Sequence, residues 1–228
     1  MRNPSGTAVI VAVVVAAMVS ADAMHWEGCD TPFGSIIGVS HGVPAYSNCN
    51  SSYTSTDNHW STHTAAAANR PVYTGLEWQC VEYGRRWLIH RRNVTYGSVV
   101  GAADIWALKH ATSITDPNVT VVFRGIPNGQ IWDHREGKLP IPAEGDLIIY
   151  PIQPGGMPFG HVAVIVAVNA THAMVGEQNW SSHLWPNIAS NYSRALRYTV
   201  ESVSLHHKNI TLHDTDGYKL DGWKSAML

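Results

Sequence analysis

The chain has 228 residues, enough for one domain with a hydrophobic core, and its net charge of −2 gives no electrostatic basis for binding nucleic acid. A hydrophobic content of 45% fits a folded globular protein. The 13 histidines are scattered, and none stands with cysteines at the spacing of a zinc site. A zinc hydrolase is therefore not favoured, and no metal site is expected.

Residues 1–23 have the pattern of a secretory signal peptide. Arg2 gives a positive start, residues 8–19 form an unbroken apolar run, and small residues follow at the cleavage positions. The apolar core is too short to span a bilayer comfortably. We expect cleavage after Ala21 or Ala23, which leaves one domain from 24 to 228, and no stable membrane insertion afterwards. An uncleaved signal anchor is the alternative.

Residues 24–75 form a loop-rich arm, in which residues 38–47 predict two short strands or an extended segment around a turn. Cys29 and Cys49 flank part of this arm, and a disulfide between them would stabilise the fold by about 3 kcal/mol in the chain-entropy model. With three cysteines in the chain, Cys80 would then remain free. The alternative, a bridge that includes Cys80, would rule out a role for this thiol as a nucleophile.

A helix from about 78 to 92 follows the arm, and a second, shorter helix is predicted over 102–110. Gly84 inside the first helix costs stability relative to alanine, which indicates close approach of another element. From residue 119 onward the pattern changes to short strands with turns between them, as expected for antiparallel pairing and an α+β layout. The predicted strands cover residues 119–123, 146–150, 161–168, 172–178 and 194–200.

Sequons of the form Asn-x-Ser/Thr recur along the chain and agree with export. They predict a glycoprotein that is secreted or resides in the lumen of the secretory or endolysosomal pathway. The sequons begin at Asn50, Asn93, Asn118, Asn169, Asn179, Asn191 and Asn209.

Cys80 stands near the first turn of the predicted helix, where free backbone N–H groups and the helix dipole favour a thiolate over a thiol. A thiolate is the form that attacks a carbonyl carbon. The alternative is that Cys80 is a buried and inert hydrophobic residue.

A thiolate nucleophile needs a base and a group that orients the base. His161 begins a predicted strand after a Gly/Pro-rich loop, and Glu177 lies near the end of the next strand. If a tight turn joins the two strands, His161 and Glu177 become cross-strand neighbours. Taken singly, His161 also fits a structural histidine, and Glu177 a solvated charge.

Several motifs in order resemble a CHAP domain, a branch of the papain-like cysteine hydrolases. The start and end of the chain are similar to the amidase domain of bifunctional glutathionylspermidine synthetase/amidases, so that the resemblance covers about residues 32–223. The CHAP-like motifs are residues 79–83, 144–150, 160–165 and 177–179, and the amidase-like segments are residues 32–38, 45–47, 192–196, 211–214 and 220–223.

The resemblance implies a papain-like α+β fold of the NlpC/P60 type, with N-terminal helices packed on an antiparallel sheet. It implies Cys80 as the nucleophile, His161 as the general acid/base and Glu177 as the carboxylate that holds the imidazole, with no cofactor. Gln79 and Asn179 would line the substrate site, which makes a glycan on Asn179 unexpected. Arg85 would bind a substrate carboxylate or brace the site; an exposed helix arginine is the alternative.

The expected function is that of a secreted thiol amidohydrolase or peptidase similar to glutathionylspermidine amidase, acting on a small peptide or a peptide–polyamine amide. The alternative substrate is a bacterial cell-wall peptide, cut by a peptidoglycan hydrolase of the D-alanyl–glycyl endopeptidase type. A catalytically silent module that binds a glycopeptide or a partner is a further alternative from another class. It is disfavoured by the complete Cys/His/Glu set.

Overall fold

The computed structural model describes residues 29–64, 70–186 and 191–227. The expected signal peptide lies outside these ranges. One α-helix, α1 (Cys80–Arg92), and one six-residue 3₁₀ helix (Ala102–Ala107) interrupt a series of strands. The strands are β1 (Ile36–Ser40), β2 (Val43–Tyr46), β3 (Asn58–Ser61), β4 (Val72–Leu76), β5 (Val94–Thr95), β6 (His110–Ser113), β7 (Thr120–Pro127), β8 (Ile131–Asp133), β9 (Leu147–Tyr150), β10 (His161–Val168), β11 (His172–Gly176), β12 (Arg194–Ser202), β13 (His207–His213) and β14 (Gly222–Met227).

Ten of these strands form one antiparallel sheet in the order β5-β6-β7-β14-β9-β10-β11-β12-β13-β8. The sheet curves so that its distant parts meet: Asn128, in the turn after β7, exchanges hydrogen bonds of 2.8 and 3.0 Å with the backbone of Leu212 on β13. Two separate hairpins, β1–β2 and β3–β4, precede α1.

The central strands β9 and β10 are buried on both faces, which explains why their sequences are nearly continuous runs of apolar residues. Alternate residues serve two cores, because successive side chains of a strand point to opposite faces. Val162 and Val164 pack toward α1, whereas Ala163 and Ile165 pack into a second core with residues of β12, β13 and β14.

Helix α1 packs against the sheet through Tyr83, Trp87 and Leu88, which are fully buried in the first core. Gly84 faces the same way, and a Cβ atom there would lie 3.4 Å from the Tyr96 hydroxyl and 3.7 Å from Val162 on β10. These are ordinary van der Waals distances, so the packing does not require glycine at this position. The helix ends at Asn93, whose left-handed backbone (φ 55°) lets its N–H bond the carbonyl of Leu88.

The expectation of an α+β fold with N-terminal helices packed on a sheet is wrong. About 41% of the described residues are strand and about 10% are helical. The arm before α1 forms hairpins, and the helix predicted over 102–110 shrinks to a 3₁₀ turn. It ends early because the next residues pair with β7 as strand β6, with His110 opposite Val122. Tertiary pairing thus overrides the local helical preference.

Candidate active site

Cys80 is the first residue of α1, placed there by the chain that runs from β4 through the extended N-cap residue Gln79. Its side chain is 9% exposed and opens on a cleft. The backbone N–H groups of Val81 and Val162 help to lower the pKa of the thiol. The thiol therefore lies where the first helical turn presents unpaired donors.

His161 is the first residue of β10 and is 4% exposed. Gly160 before it has a φ of 69°, and a side chain on that residue would overlap the carbonyl oxygen of Tyr150. Glycine at this position lets the chain turn tightly into β10. The imidazole that follows interacts with Cys80 at the start of α1.

The Nε2 atom of His161 lies 2.9 Å from Oε2 of Glu177. The two residues are not direct partners in the ladder, because Val164 pairs with Gly176 and a bulge follows Ile165. Glu177 comes after the last paired residue of β11, and its side chain reaches back to the imidazole. Because Nε2 is hydrogen-bonded to Glu177, Nδ1 is the ring nitrogen that can exchange a proton with Cys80.

Electrostatics favour an ion pair between Cys80 and His161. Burial raises the pKa of the Cys80 thiol, but the charge and hydrogen bond of the His161 imidazolium outweigh it, so that the pKa lies below its usual value. Burial lowers the pKa of His161, but the thiolate and Glu177 raise it to about 9. A thiolate beside an imidazolium is the reactive state of a cysteine nucleophile.

Glu177 is held as a carboxylate by several donors. Burial raises its pKa, but the Arg194 guanidinium and the bond from His161 lower it to about 2. Arg194 Nε donates to Oε1 at 2.7 Å, and the Ser193 hydroxyl donates to the same oxygen at 2.8 Å. The carboxylate therefore stays ionised and fixed in orientation.

Arg194 is itself fixed on every side. Its Nη1 donates to Asp214 at 2.8 Å, its Nη2 donates to the Tyr150 hydroxyl at 2.7 Å, and its guanidinium lies 3.7 Å from the ring centre of Trp180. The rings of Trp180 and Tyr150 also lie 4.9 and 5.6 Å from the imidazole of His161. These residues form a rigid support behind the Glu177–His161 pair.

Gln79 and Asn179 lie together at the cleft, as the resemblance implied. Asn179 Nδ2 donates to Gln79 Oε1 at 2.9 Å, and Asn48 Nδ2 donates to Asn179 Oδ1 at 3.1 Å. Asn48 is fully buried and also accepts from the backbone N–H of Trp78. The amide of Asn179 is thus hydrogen-bonded within the protein.

Arg85 borders the cleft but is only 2% exposed. Its guanidinium donates to the carbonyl oxygens of Thr74, Tyr96 and Gly97 at 2.6, 3.2 and 3.1 Å. These bonds make Arg85 a brace between α1 and the segments on either side of it. A substrate carboxylate would have to compete with these carbonyl groups for the same donors.

A second buried acid lies on α1, two residues after the thiol. Glu82 accepts from Arg86 at 2.6 and 3.0 Å and contacts His59 Nδ1 at 2.9 Å. Gln178 donates to the same carboxylate at 2.8 Å and to the carbonyl of Gln79 at 3.0 Å. This cluster ties the helix start to the segment that follows Glu177.

The cleft has a volume of about 780 Å³ and contains both Cys80 and His161 on its surface. Other lining residues include Ser51, Ser52, Val100, Phe159 and Tyr218. A cavity of this size accommodates a small organic or peptide substrate.

The disulfide Cys29–Cys49 is present, and Cys80 is the free, buried cysteine of the described residues. Within those residues no group of three or more His, Cys, Asp or Glu side chains is arranged to hold a metal ion. Over 29–64, 70–186 and 191–227, no helix has the length and apolar character needed to cross a membrane.

Sequence analysis assigned no role to the residues that support Glu177. Arg194 and Asp214 both lie in segments that carry the resemblance, 192–196 and 211–214, and that placement was the available signal. Tyr150 is the last residue of the motif 144–150 and Trp180 follows the motif 177–179, but neither had a role assigned to it.

Residues 71–179 match the family model of the CHAP domain. The matched residues include Cys80, His161 and Glu177, whereas Arg194 lies beyond them. The fold around these residues is the β-rich sheet described above.

The chain is 31% identical to the glutathionylspermidine synthase of Crithidia fasciculata, over 71% of this chain and 23% of the relative. It is 32% identical to the trypanothione synthetase of the same organism, over 73% and 22%. It is 29% identical to the bifunctional glutathionylspermidine synthetase/amidase of Escherichia coli (strain K12), over 85% and 29%. The chain spans less than a third of these relatives' length. The domain and the relatives support amidohydrolase activity.

Proposed function

We propose that this protein is a thiol amidohydrolase in which Cys80 is the nucleophile, His161 the general acid/base and Glu177 the group that orients His161. The observation that carries the proposal is the position of His161. Its imidazole interacts with the thiol at a helix N-terminus through one ring nitrogen, and its other ring nitrogen lies 2.9 Å from a buried carboxylate. The thiol also opens on a cleft large enough for a substrate.

In the proposed reaction, the Cys80 thiolate attacks the carbonyl carbon of an amide and forms a tetrahedral oxyanion. The backbone N–H of Cys80, in the first helical turn, is placed to donate to that oxygen. The His161 imidazolium gives its proton to the nitrogen as the C–N bond breaks, and the amine leaves.

The thioester that remains is attacked by a water molecule. His161, now neutral, takes a proton from the water, and the carboxylic acid product leaves as Cys80 returns to the thiolate. Glu177 stabilises the imidazolium at each stage and keeps its ring in one orientation.

The proposed substrate class is a small peptide amide, with a peptide–polyamine conjugate as the first choice because a relative is named a glutathionylspermidine synthetase/amidase. We further propose that the protein acts outside the cytosol. The Cys29–Cys49 disulfide is compatible with an oxidising compartment, and a free Cys80 in such a compartment would be retained for its chemistry.

The test compares wild-type protein with Cys80→Ala and Cys80→Ser on glutathionylspermidine and on a muropeptide with a D-alanyl–glycine bond. Amine release by the wild type and a loss of at least about 1,000-fold in both variants, with unchanged circular dichroism, is expected. Hydrolysis of the muropeptide alone would assign the protein to the cell-wall hydrolases. Full activity of Cys80→Ala would end the proposal.

A further inference from the structure

Two large apolar side chains on the surface of the cleft are unusually exposed. Val100 is 92% exposed and Phe159 is 61% exposed, and both line the same cleft as Cys80 and His161. Single exposed apolar residues are common on protein surfaces, but two that share a catalytic cleft call for an explanation.

Their exposure does not come from a loose backbone. The carbonyl of Phe159 accepts a hydrogen bond of 3.1 Å from Ala103, and a Cβ atom on Gly101 would lie only 2.8 Å from that carbonyl. The segments 98–101 and 156–160 therefore press against each other at the start of the 3₁₀ helix. The pairing fixes the two backbones while their apolar side chains still face the cleft.

Neighbouring residues of the same two segments, Val99, Met157 and Pro158, also line the cleft. Met157 is 6% exposed and belongs to the second core, whereas Val99 packs partly against the first core. We call Val99, Val100, Met157, Pro158 and Phe159 the apolar wall. Both of its segments border the cleft, and the second leads through Gly160 directly to His161.

Another part of the cleft surface has a different chemistry. It carries the hydroxyl groups of Ser51, Ser52 and Thr54, which are exposed. The cleft thus offers apolar contacts on the apolar wall and hydrogen-bonding groups on the segment that follows Cys49. A substrate that contacts both parts of the cleft would carry an apolar group next to a peptide backbone that can form hydrogen bonds.

We propose that the apolar wall is a specificity subsite, which binds an aliphatic or aromatic group of the substrate close to the scissile amide. Binding would remove Val100 and Phe159 from water, and apolar burial is the main favourable term available to these side chains. The inference rests on the proposed function, since it names the class of amide that the same site would take.

The test uses the reactivity of Cys80 and needs no natural substrate. The rates of alkylation by iodoacetamide and by N-benzyliodoacetamide, which share one reactive group, are measured by intact mass and divided by the rates for N-acetylcysteine. We expect the wild type to prefer the benzyl reagent by about tenfold, a usual discrimination for an apolar pocket. In the double variant Val100→Ser/Phe159→Ser, the preference for the benzyl reagent should fall to about twofold or less. The single variant Val100→Ser should show a preference between those of the wild type and the double variant.

Leu205→Ser is the matched control, because Leu205 is 84% exposed in the β12–β13 turn and does not line the cleft. It should keep the wild-type preference. A wild type that alkylates readily but shows no benzyl preference would overturn the subsite and leave the amidohydrolase proposal standing. If neither reagent modifies Cys80, the nucleophile assignment fails, and the subsite fails with it.

Discussion

Two buried clusters in this protein have nearly the same composition. In each, a glutamate lies 2.9 Å from a histidine nitrogen and is held by an arginine: Glu177 with His161 and Arg194, and Glu82 with His59 and Arg86. In each cluster burial raises the pKa of the glutamate, but its partners lower it to about 2.

The clusters differ in what else the histidine contacts. His161 interacts with Cys80, whereas Nδ1 of His59 is shared between Glu82 and Thr74, each at 2.9 Å, and the His59 ring packs 4.8 Å from Trp78. A Glu–His pair is thus no evidence of catalysis by itself. The cysteine at the helix start makes one cluster a candidate reaction centre and leaves the other to hold α1 in place.

The largest expected difference between the clusters is in activity. Glu177→Gln should lower kcat/KM by about 1,000-fold, because an uncharged amide neither stabilises the His161 imidazolium nor fixes its orientation. Steady-state kinetics on the substrate that the wild type hydrolyses measures this loss. Glu82→Gln, the matched variant on α1, should keep kcat/KM within about threefold; equal losses in both variants would refute the division of roles.

The second difference is in stability. Glu82→Gln leaves the Arg86 guanidinium buried without its carboxylate, which should lower the free energy of unfolding by about 3 kcal/mol at pH 7. Urea unfolding followed by tryptophan fluorescence provides the value. An unchanged midpoint would mean that the Glu82–Arg86 pair contributes nothing net to the fold.

The smallest effect concerns Arg194, which acts on the chemistry only through Glu177. Arg194→Gln should lower kcat/KM by about tenfold, because the carboxylate loses the donors that fix it.

Arg194→Gln should also raise the pH at which the protein begins to unfold in acid. A lowered pKa of Glu177 stabilises the fold above its unfolded value of about 4.5, and this contribution is lost as the pH falls toward 2. Without Arg194 the pKa rises, so that acid unfolding should begin about one pH unit higher. A tenfold loss of activity with an unchanged acid transition would indicate a role for Arg194 other than holding the charge of Glu177.

The three principal site residues could be proposed from sequence because their chemistry has few alternatives: a lone thiol at a helix start, and a histidine and a glutamate on consecutive strands. The spacing argument gave the correct proximity of His161 and Glu177 for an incomplete reason. It assumed a regular hairpin, whereas the bulge after Ile165 shifts the register and Glu177 lies beyond the ladder.

The strands missed by sequence analysis carry polar residues at buried positions. Lys224 on β14 is 1% exposed and donates to the carbonyl oxygens of Trp106 and Leu108, so that a residue typical of surfaces lies in the interior. On β13, only Ile210 and Leu212 mark the inward face among polar neighbours. Local pattern could not reveal such strands, because their burial depends on partners distant in the chain.

If Cys80 is the nucleophile, the Cys29–Cys49 bridge sets two opposite requirements toward reductants. Cys49 adjoins Asn48, the buried amide that holds Asn179 and the helix start, and it is followed by Ser51 and Ser52 at the cleft. A reductant keeps Cys80 in its reactive form, but an excess opens the bridge and releases the segment that shapes the cleft. Turnover should therefore pass through a maximum at an intermediate redox potential.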